Sequence, residues 1–356
     1  MARRLSSFQT LALWTTGATY FLILVGGLVR ASGAGLGCPD WPRCFGGWIP
    51  PATAADLPVG FDASQFNPTL MWTEYLNRLL GVTVGLLIFA TLISAWRHHR
   101  RTPRILWPTL AAFLLVGFQG WLGGVVVQQQ LAAWIVTLHM VVALVIVSLL
   151  LYSTVYAFFA AASVQGQAVR RVHARDARPV PASRVPAAST VPASPVPAAP
   201  TARPLLAWST LALMALTLLQ VILGTQVREG IDHALDAGIA RVDALGSVGR
   251  FDMWHRDVAL LVMVATAWVF WLVWARHRHE LTLVRTTVVL GALVGLQILL
   301  GASMAYVALT PAAQVAHLTA ASLLLAAETV LLLLARWLPP ADQTAEAAPI
   351  TMARSR

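Results

Sequence analysis

Two short stretches of this chain set an acid, an amide or imidazole, and an arginine at helical spacing: Glu74-Tyr75-Leu76-Asn77-Arg78 and Asp252-Met253-Trp254-His255-Arg256. Residues i, i+3 and i+4 share one face of a helix, so the three functional side chains of each stretch point into one space. Both stretches open long apolar runs. An ionisable side chain inside a bilayer costs about 2.5–3.5 kcal/mol on insertion scales, so such groups mark function more often than packing.

The histidines sort by location. His98, His99, His277 and His279 lie in basic clusters, His173 in an Arg/Ala/Pro-rich stretch and His233 in a loop, where each reads as a solvated residue. His139, His255 and His317 instead stand within apolar runs. A lone histidine there is often a satisfied hydrogen-bonding residue, but three at related positions point to a shared use. His255 and His317 fall in the second and fourth helices of one half of the chain. A helical bundle can set two such imidazoles on opposite sides of one plane, which suits bis-histidine ligation of a haem iron. His139 has the equivalent place in the other half, where its expected partner is Asn77, a poor iron ligand. One haem would then be a firmly held cofactor and the other a substrate.

Glu74 lies one turn before Asn77 and would sit beside the first-half haem, as a base or as a stabiliser of developing positive charge. An ion pair with Arg78, or a capping role at the helix end, is the other reading. Arg30, Arg78, Arg228 and Arg256 stand at a depth suited to haem propionates, where a guanidinium can bind carboxylate with two hydrogen bonds; interfacial anchoring is the alternative for each. Gly117, Gly120, Gly123 and Gly124 read as close helix packing. Cys38 and Cys44 flank Pro39-Asp40-Trp41-Pro42-Arg43 in a turn-rich outer loop. A disulfide is permitted outside the cytoplasm, either as a static staple or as a reducible, mechanistically used pair. Two cysteines alone cannot make a four-ligand zinc site.

The elements that must position these residues are membrane helices. The chain has 356 residues, 58% hydrophobic and 11% charged, where a soluble domain carries roughly 25% charged residues. Apolar runs of membrane-spanning length, about 20 residues, occur at roughly 8–30, 72–96, 104–127, 132–160, 205–227, 253–275, 284–306 and 312–337. The first follows Arg3 and Arg4 but is longer than the h-region of a signal peptide. The net charge of +10 is carried by arginine, with no lysine. The arginines cluster beside the apolar runs, which excludes a nucleic-acid surface and follows the positive-inside rule with both termini cytoplasmic.

The two sets of four spans repeat one another. Asn77 and His255 are 178 residues apart (255 − 77), and the same shift carries Gln119 to Gln297, Gly123 to Gly301 and His139 to His317. Val25-Gly26-Gly27-Leu28-Val29-Arg30 resembles Leu223-Gly224-Thr225-Gln226-Val227-Arg228 at a different offset. The expected fold is an all-α integral membrane protein of eight transmembrane helices, built as two repeated, parallel four-helix bundles. Residues 1–162 form the half with the substrate-haem site and 205–338 the half with the haem b site. Residues 163–204 read as a disordered Pro/Ala/Arg-rich cytoplasmic linker and 339–356 as a disordered tail.

In this order and on eight spans, the segments GGLVRASGAGLGCPDWPRCFG (26–46), EYLNRLLG (74–81), QGWLGG (119–124), TLHM (137–140), QVILGTQVRE (220–229), WHRD (254–257), QILLG (297–301) and AHLTAAS (316–322) resemble the haem A synthase family, which acts in assembly of aa-type terminal oxidases. The resemblance covers nearly the whole chain apart from the linker and tail. It implies oxidation of the C8 methyl of haem O to a formyl group in a bacterial-type cell membrane. It also implies haem b held by His255 and His317, a substrate haem facing His139, catalysis by Glu74, and a Cys38–Cys44 disulfide. Implied partners are haem O, membrane lipid, haem O synthase and an electron donor or acceptor; self-association stays open. The chain departs from the pattern at Asn77, where many members carry a second substrate-side histidine, and it lacks the second-half cysteine pair of some members. A dihaem b-type electron-transfer protein without chemistry on either haem is the competing class, and a transporter of parallel repeats leaves the paired histidines unexplained.

Overall fold

The computed structural model describes residues 5–176 and 203–337. Among the described residues no strand forms, and a single isolated bridge joins Cys44 to Gly47. Eight helices of the described residues are long and apolar enough to cross a membrane: α1 (Ser7–Ala31), α2 (Pro68–His99), α3 (Pro103–Gln128), α4 (Ala133–Asp176), α5 (Pro204–Asp236), α6 (Arg250–His277), α7 (Leu281–Tyr306) and α8 (Pro311–Trp337). The chain is therefore an all-helical integral membrane protein.

The helix ends follow local chemistry. Proline opens α2, α3, α5 and α8, where its fixed φ suits the first turn and its missing N–H costs nothing. Asn67 caps α2 by accepting from the N–H groups of Thr69 and Leu70, and Ser6 with Gln9 closes a capping box on α1. Arg97, His98 and His99 end α2, Arg276 and His277 end α6, and Arg336 lies in the last turn of α8, where cations meet the negative end of the helix dipole.

Two helices run longer than the apolar pattern suggests. α4 continues through Asp176, into the stretch read as linker. Residues 163–176 contain no proline and are rich in alanine, glutamine and arginine, which favour helix; proline begins at Pro179. The rest of that stretch up to 202, and the tail from 338, lie outside the described residues. α5 continues through Asp236, into what reads as loop. There the i,i+4 pairs Arg228–Asp232 and Glu229–His233 support the helix.

Consecutive helices pack in the same order in both halves: α1 on α2, α2 on α3, α3 on α4 and α4 back on α1, then α5 through α8 likewise. α8 also touches α1 and α4, and α4 touches α5, so α8 is the most enclosed helix. Lipid tails give helices no hydrophobic reason to associate, so small residues and hydroxyls hold such seams. Gly27 lets α1 approach α8: a Cβ there would lie 2.9 Å from Leu318 Cδ2. Thr137 and Thr225 share a hydrogen bond of 2.7 Å between α4 and α5, and Gln226 Nε2 donates to Thr137 Oγ1 at 3.3 Å. Within the first half, Thr15 pairs with Thr91 and Thr16 with Thr154.

Candidate functional site

The first site feature is built where the loop between α1 and α2 lands on α2. Gly37 presses its backbone against the first turn of that helix; a Cβ there would lie 2.4 Å from Leu70 O. Cys38 and Cys44 are disulfide-bonded and both are 0% exposed. Phe45 and Met71 pack on them, with Leu57, Phe61, Phe66 and Tyr75 around these. Asp40 folds the loop on itself by accepting from the N–H groups of Phe45 (2.6 Å) and Gly46 (2.9 Å).

Glu74 and Arg78 grip this loop from α2. The Cys38 N–H donates to Glu74 Oε2 at 2.8 Å. Arg78 pairs with Glu74 Oε1 through Nε (3.1 Å) and Nη2. Its Nη1 donates to the carbonyls of Asp40 (2.7 Å) and Arg43 (2.8 Å), its Nη2 to that of Cys38 (3.1 Å). The guanidinium also lies over the Trp41 ring at 4.9 Å. Of the two readings open for Glu74, the ion pair with Arg78 is formed, and the other carboxylate oxygen is engaged by the loop. Trp41 reaches onward to α3, where a Cβ on Gly124 would lie 2.4 Å from its Cδ1. Gly124 is thus the seat of the loop tryptophan.

The imidazoles form a second set of features, each hung from a glutamine of a neighbouring helix. Gln119 Nε2 donates to the main-chain carbonyl of His139 at 2.8 Å, and Gln297 Nε2 to that of His317 at 2.9 Å. Gln220 Nε2 donates to the carbonyl of His255 at 2.9 Å and lies 3.2 Å from its Nε2. Each ring also faces a glycine: a Cβ on Gly123, Gly301 or Gly224 would lie 3.6, 3.7 or 3.1 Å from Cε1 of His139, His317 or His255. Nδ1 of all three histidines and Oε1 of all three glutamines are buried without a hydrogen-bond partner, as is Asn77 Oδ1.

His255 and His317 face one another with ring centres 6.4 Å apart. An imidazole nitrogen bonds a metal at about 2 Å and its ring centre lies ~1 Å further back, so two rings sharing one ion from opposite sides stand about 6 Å apart. The separation of the ring centres suits a haem iron, because the porphyrin brings its own four nitrogens. Among the described residues no group of three or more His, Cys, Asp or Glu could enclose a bare ion.

The arginines gather carboxylates already present. Arg30 and Arg228 both bind Asp232, the latter at 2.8 Å, and Arg228 also donates to Gln314. This cluster ties α1 to α5 and α8. Arg256 pairs with Asp252 at 2.8 Å and donates to Tyr306 Oη at 3.1 Å. Asp232 carries no sequence signal for Arg30, 202 residues away. The three glutamines could be suspected only through Gln119 and Gln297, which the repeat picks out.

The pattern of the COX15-CtaA family, described as cytochrome oxidase assembly protein, matches residues 9–329. The chain belongs to this family. Curated relatives named Heme A synthase share local identity with it. One from Geobacillus kaustophilus is 36% identical over 121 residues, 34% of this chain and 33% of the relative. One from Allorhizobium ampelinum is 30% identical over 130 residues, 32% and 35% of the two chains. One from Shewanella oneidensis is 34% identical over 139 residues, 37% and 40%. The chain thus aligns with about a third of the length of these relatives, whereas the family pattern runs through both halves and includes every residue of the two site features.

Proposed function

We propose that the chain is a haem A synthase, an oxidoreductase that converts the C8 methyl of haem O to a formyl group. The observation that carries this reading is the difference between the two halves. The rings of His255 and His317 lie 6.4 Å apart, a separation that suits two ligands of one iron, whereas the first half has Asn77 at the place equivalent to His255 and also carries a buried Glu74 tied to a disulfide loop. An electron carrier wants two firmly coordinated haems; a site with one strong ligand and an acid beside it suits a haem that reacts. The names of the local relatives support the same activity.

In this reading His255 and His317 hold haem b, which supplies electron transfer when bound. His139 and Asn77 flank the substrate haem, and Glu74 is the catalytic carboxylate. Its position is set by the Cys38 N–H and by Arg78, so the loop fixes the acid before substrate arrives and no reorganisation is needed in the reaction. The enclosed disulfide acts as a staple for that loop, since thiol exchange requires access. Arg30 and Arg228 share one carboxylate and keep a net positive charge for propionates, with Arg78 and Arg256 as the corresponding groups on α2 and α6. Two successive oxidations of one methyl carbon give the formyl group. The arginine-rich ends are cytoplasmic, the disulfide loop lies on the opposite face, and haem O synthase and an electron donor or acceptor are partners.

Expression with a source of haem O, pigment extraction and chromatography test the activity. Haem A is expected; only haem B and unchanged haem O from a folded preparation would overturn it and favour the dihaem carrier. His255→Ala and His317→Ala should each lose the b-type spectrum, and an unchanged spectrum would remove that ligand from the scheme. Glu74→Gln should retain bound haem and yield no haem A.

A further inference from the structure

We propose that the first-half site leaves one axial face of its haem open at Asn77 and takes a small uncharged ligand there, water or a diatomic gas such as carbon monoxide. The inference rests on the haem reading above and on a comparison of four related places in the molecule.

Three of the four are complete. His139 has Gln119 on its carbonyl and Gly123 against its ring; His317 has Gln297 and Gly301; His255 has Gln220 and Gly224. The fourth is the first-half counterpart of His255, and the matching α1 segment is offset from α5 by 198 residues (224 − 26). There Asn77 replaces the histidine and Leu22 stands where Gln220 would. Only the glycine is kept, as Gly26. It has lost its purpose as a ring seat: a Cβ on Gly224 meets the His255 ring at 3.1 Å, whereas one on Gly26 meets nothing within 4 Å. Ligand and positioning amide are absent together here, and a Cβ on Gly26 would meet open space.

The acid, the two cysteines and the nearest buried tyrosine of α1 do not close that face. Both oxygens of Glu74 are engaged by Arg78 and the Cys38 N–H, and Cys38 and Cys44 are spent on each other. Tyr20, whose hydroxyl is buried without a partner, lies six residues before Gly26 on α1, about 9 Å away along the axis. Asn77 itself keeps a buried, unpartnered Oδ1, a hydrogen-bond acceptor suited to a water molecule or to a polar ligand held beside it. A neutral amide with a buried, unpartnered oxygen favours an uncharged ligand over an anion, whose desolvation it cannot offset.

Carbon monoxide is the probe. The full chain, purified with both haems and reduced, should give a carbon monoxide difference spectrum from one haem of the two. His139→Ala should abolish that signal and leave the low-spin spectrum of the His255–His317 haem. Asn77→His should convert the first-half haem to low spin and weaken carbon monoxide binding at least tenfold. Adding Leu22→Gln should strengthen that effect by restoring the fourth set. Asn77→Ala, which introduces no new ligand, should bind carbon monoxide at least as well as the natural chain and guards against a misfolded histidine variant. A two-haem chain inert to carbon monoxide, a chain holding a single inert haem, or equal binding by natural chain and Asn77→His overturns the proposal. Each of these leaves haem b between His255 and His317 standing, whereas a chain that binds no haem overturns that reading as well.

Discussion

Arg78→Leu offers the sharpest probe of how the disulfide loop is held. The substitution removes the partner of Glu74 in a pair whose side chains are 9% and 6% exposed, together with the bonds to the carbonyls of Cys38, Asp40 and Arg43 and the stacking on Trp41. Breaking a buried ion pair from one side costs about 3–5 kcal/mol, because the remaining charge stays buried alone. The cost falls on the docked state of the loop, so the undocked population should rise roughly a hundredfold to several thousandfold, at a factor of ten per 1.36 kcal/mol. The disulfide reports that population directly. Both cysteines are 0% exposed, so a phosphine reductant reaches the bond only when the loop lifts. The assay is the rate of reduction in detergent, followed by maleimide mass tagging of the released thiols. Arg78→Lys, which keeps charge without the planar fork, should fall between. Glu74→Gln combined with Arg78→Leu should reduce more slowly than the two single effects multiplied, since no charge is then orphaned. Reduction of Arg78→Leu at the rate of the natural chain would refute the grip as described.

Three further outcomes can be checked with the same preparation. Gly124→Ala drives a Cβ to 2.4 Å from Trp41 and should undock the loop, raising the reduction rate, with Trp41→Leu in the same chain restoring it. Gly37→Ala meets the backbone at Leu70, which cannot retreat, and should lower thermal stability by about 1–3 kcal/mol, the usual cost of overpacking. Glu328 is fully buried in α8, accepts from Thr217 at 2.6 Å and leaves Oε2 unpartnered. Glu328→Leu, the residue found at the repeat-related Leu150 (328 − 178), should stabilise by about 1–3 kcal/mol by removing an unsatisfied buried acceptor. Thr217 can then turn to its i−4 carbonyl as Thr210 does. A lower melting temperature would refute this.

The eight spans were legible because membrane helices announce themselves by length and apolarity, which need no tertiary context. The pairing of Glu74 with Arg78 was legible as an i,i+4 option. The contact of the other Glu74 oxygen with the Cys38 N–H was not, because it is supplied by a loop whose backbone path has no periodic signature. The same limit hid the seat of Trp41 on Gly124, which reads in the sequence as one more small packing residue. Arg30 and Arg228 read alike, as propionate-binding or interfacial groups at helix ends; their shared Asp232 is visible only once α5 is known to run past the apolar segment. His255 and His317 could be paired in advance because the repeat assigns them to alternate helices of one half. The distance between their rings could not. Glu328 was in plain sight, an acid in a run of leucine and alanine, and the ordinary cost of such a group was reason enough to note it.

The glutamines reach for the carbonyls of the histidines, not solely for their rings. The contact is therefore made to a main-chain group that every amino acid offers. The tie between neighbouring helices is thus separate from the imidazole at the three places that keep the glutamine, whereas at Asn77, with Leu22 in place of the glutamine, both are absent. Replacing an imidazole at one of the three would leave that tie in place and change the packing of the side chain against its facing glycine. The framework of amide-to-carbonyl ties is in that sense distinct from the side chains it holds in place.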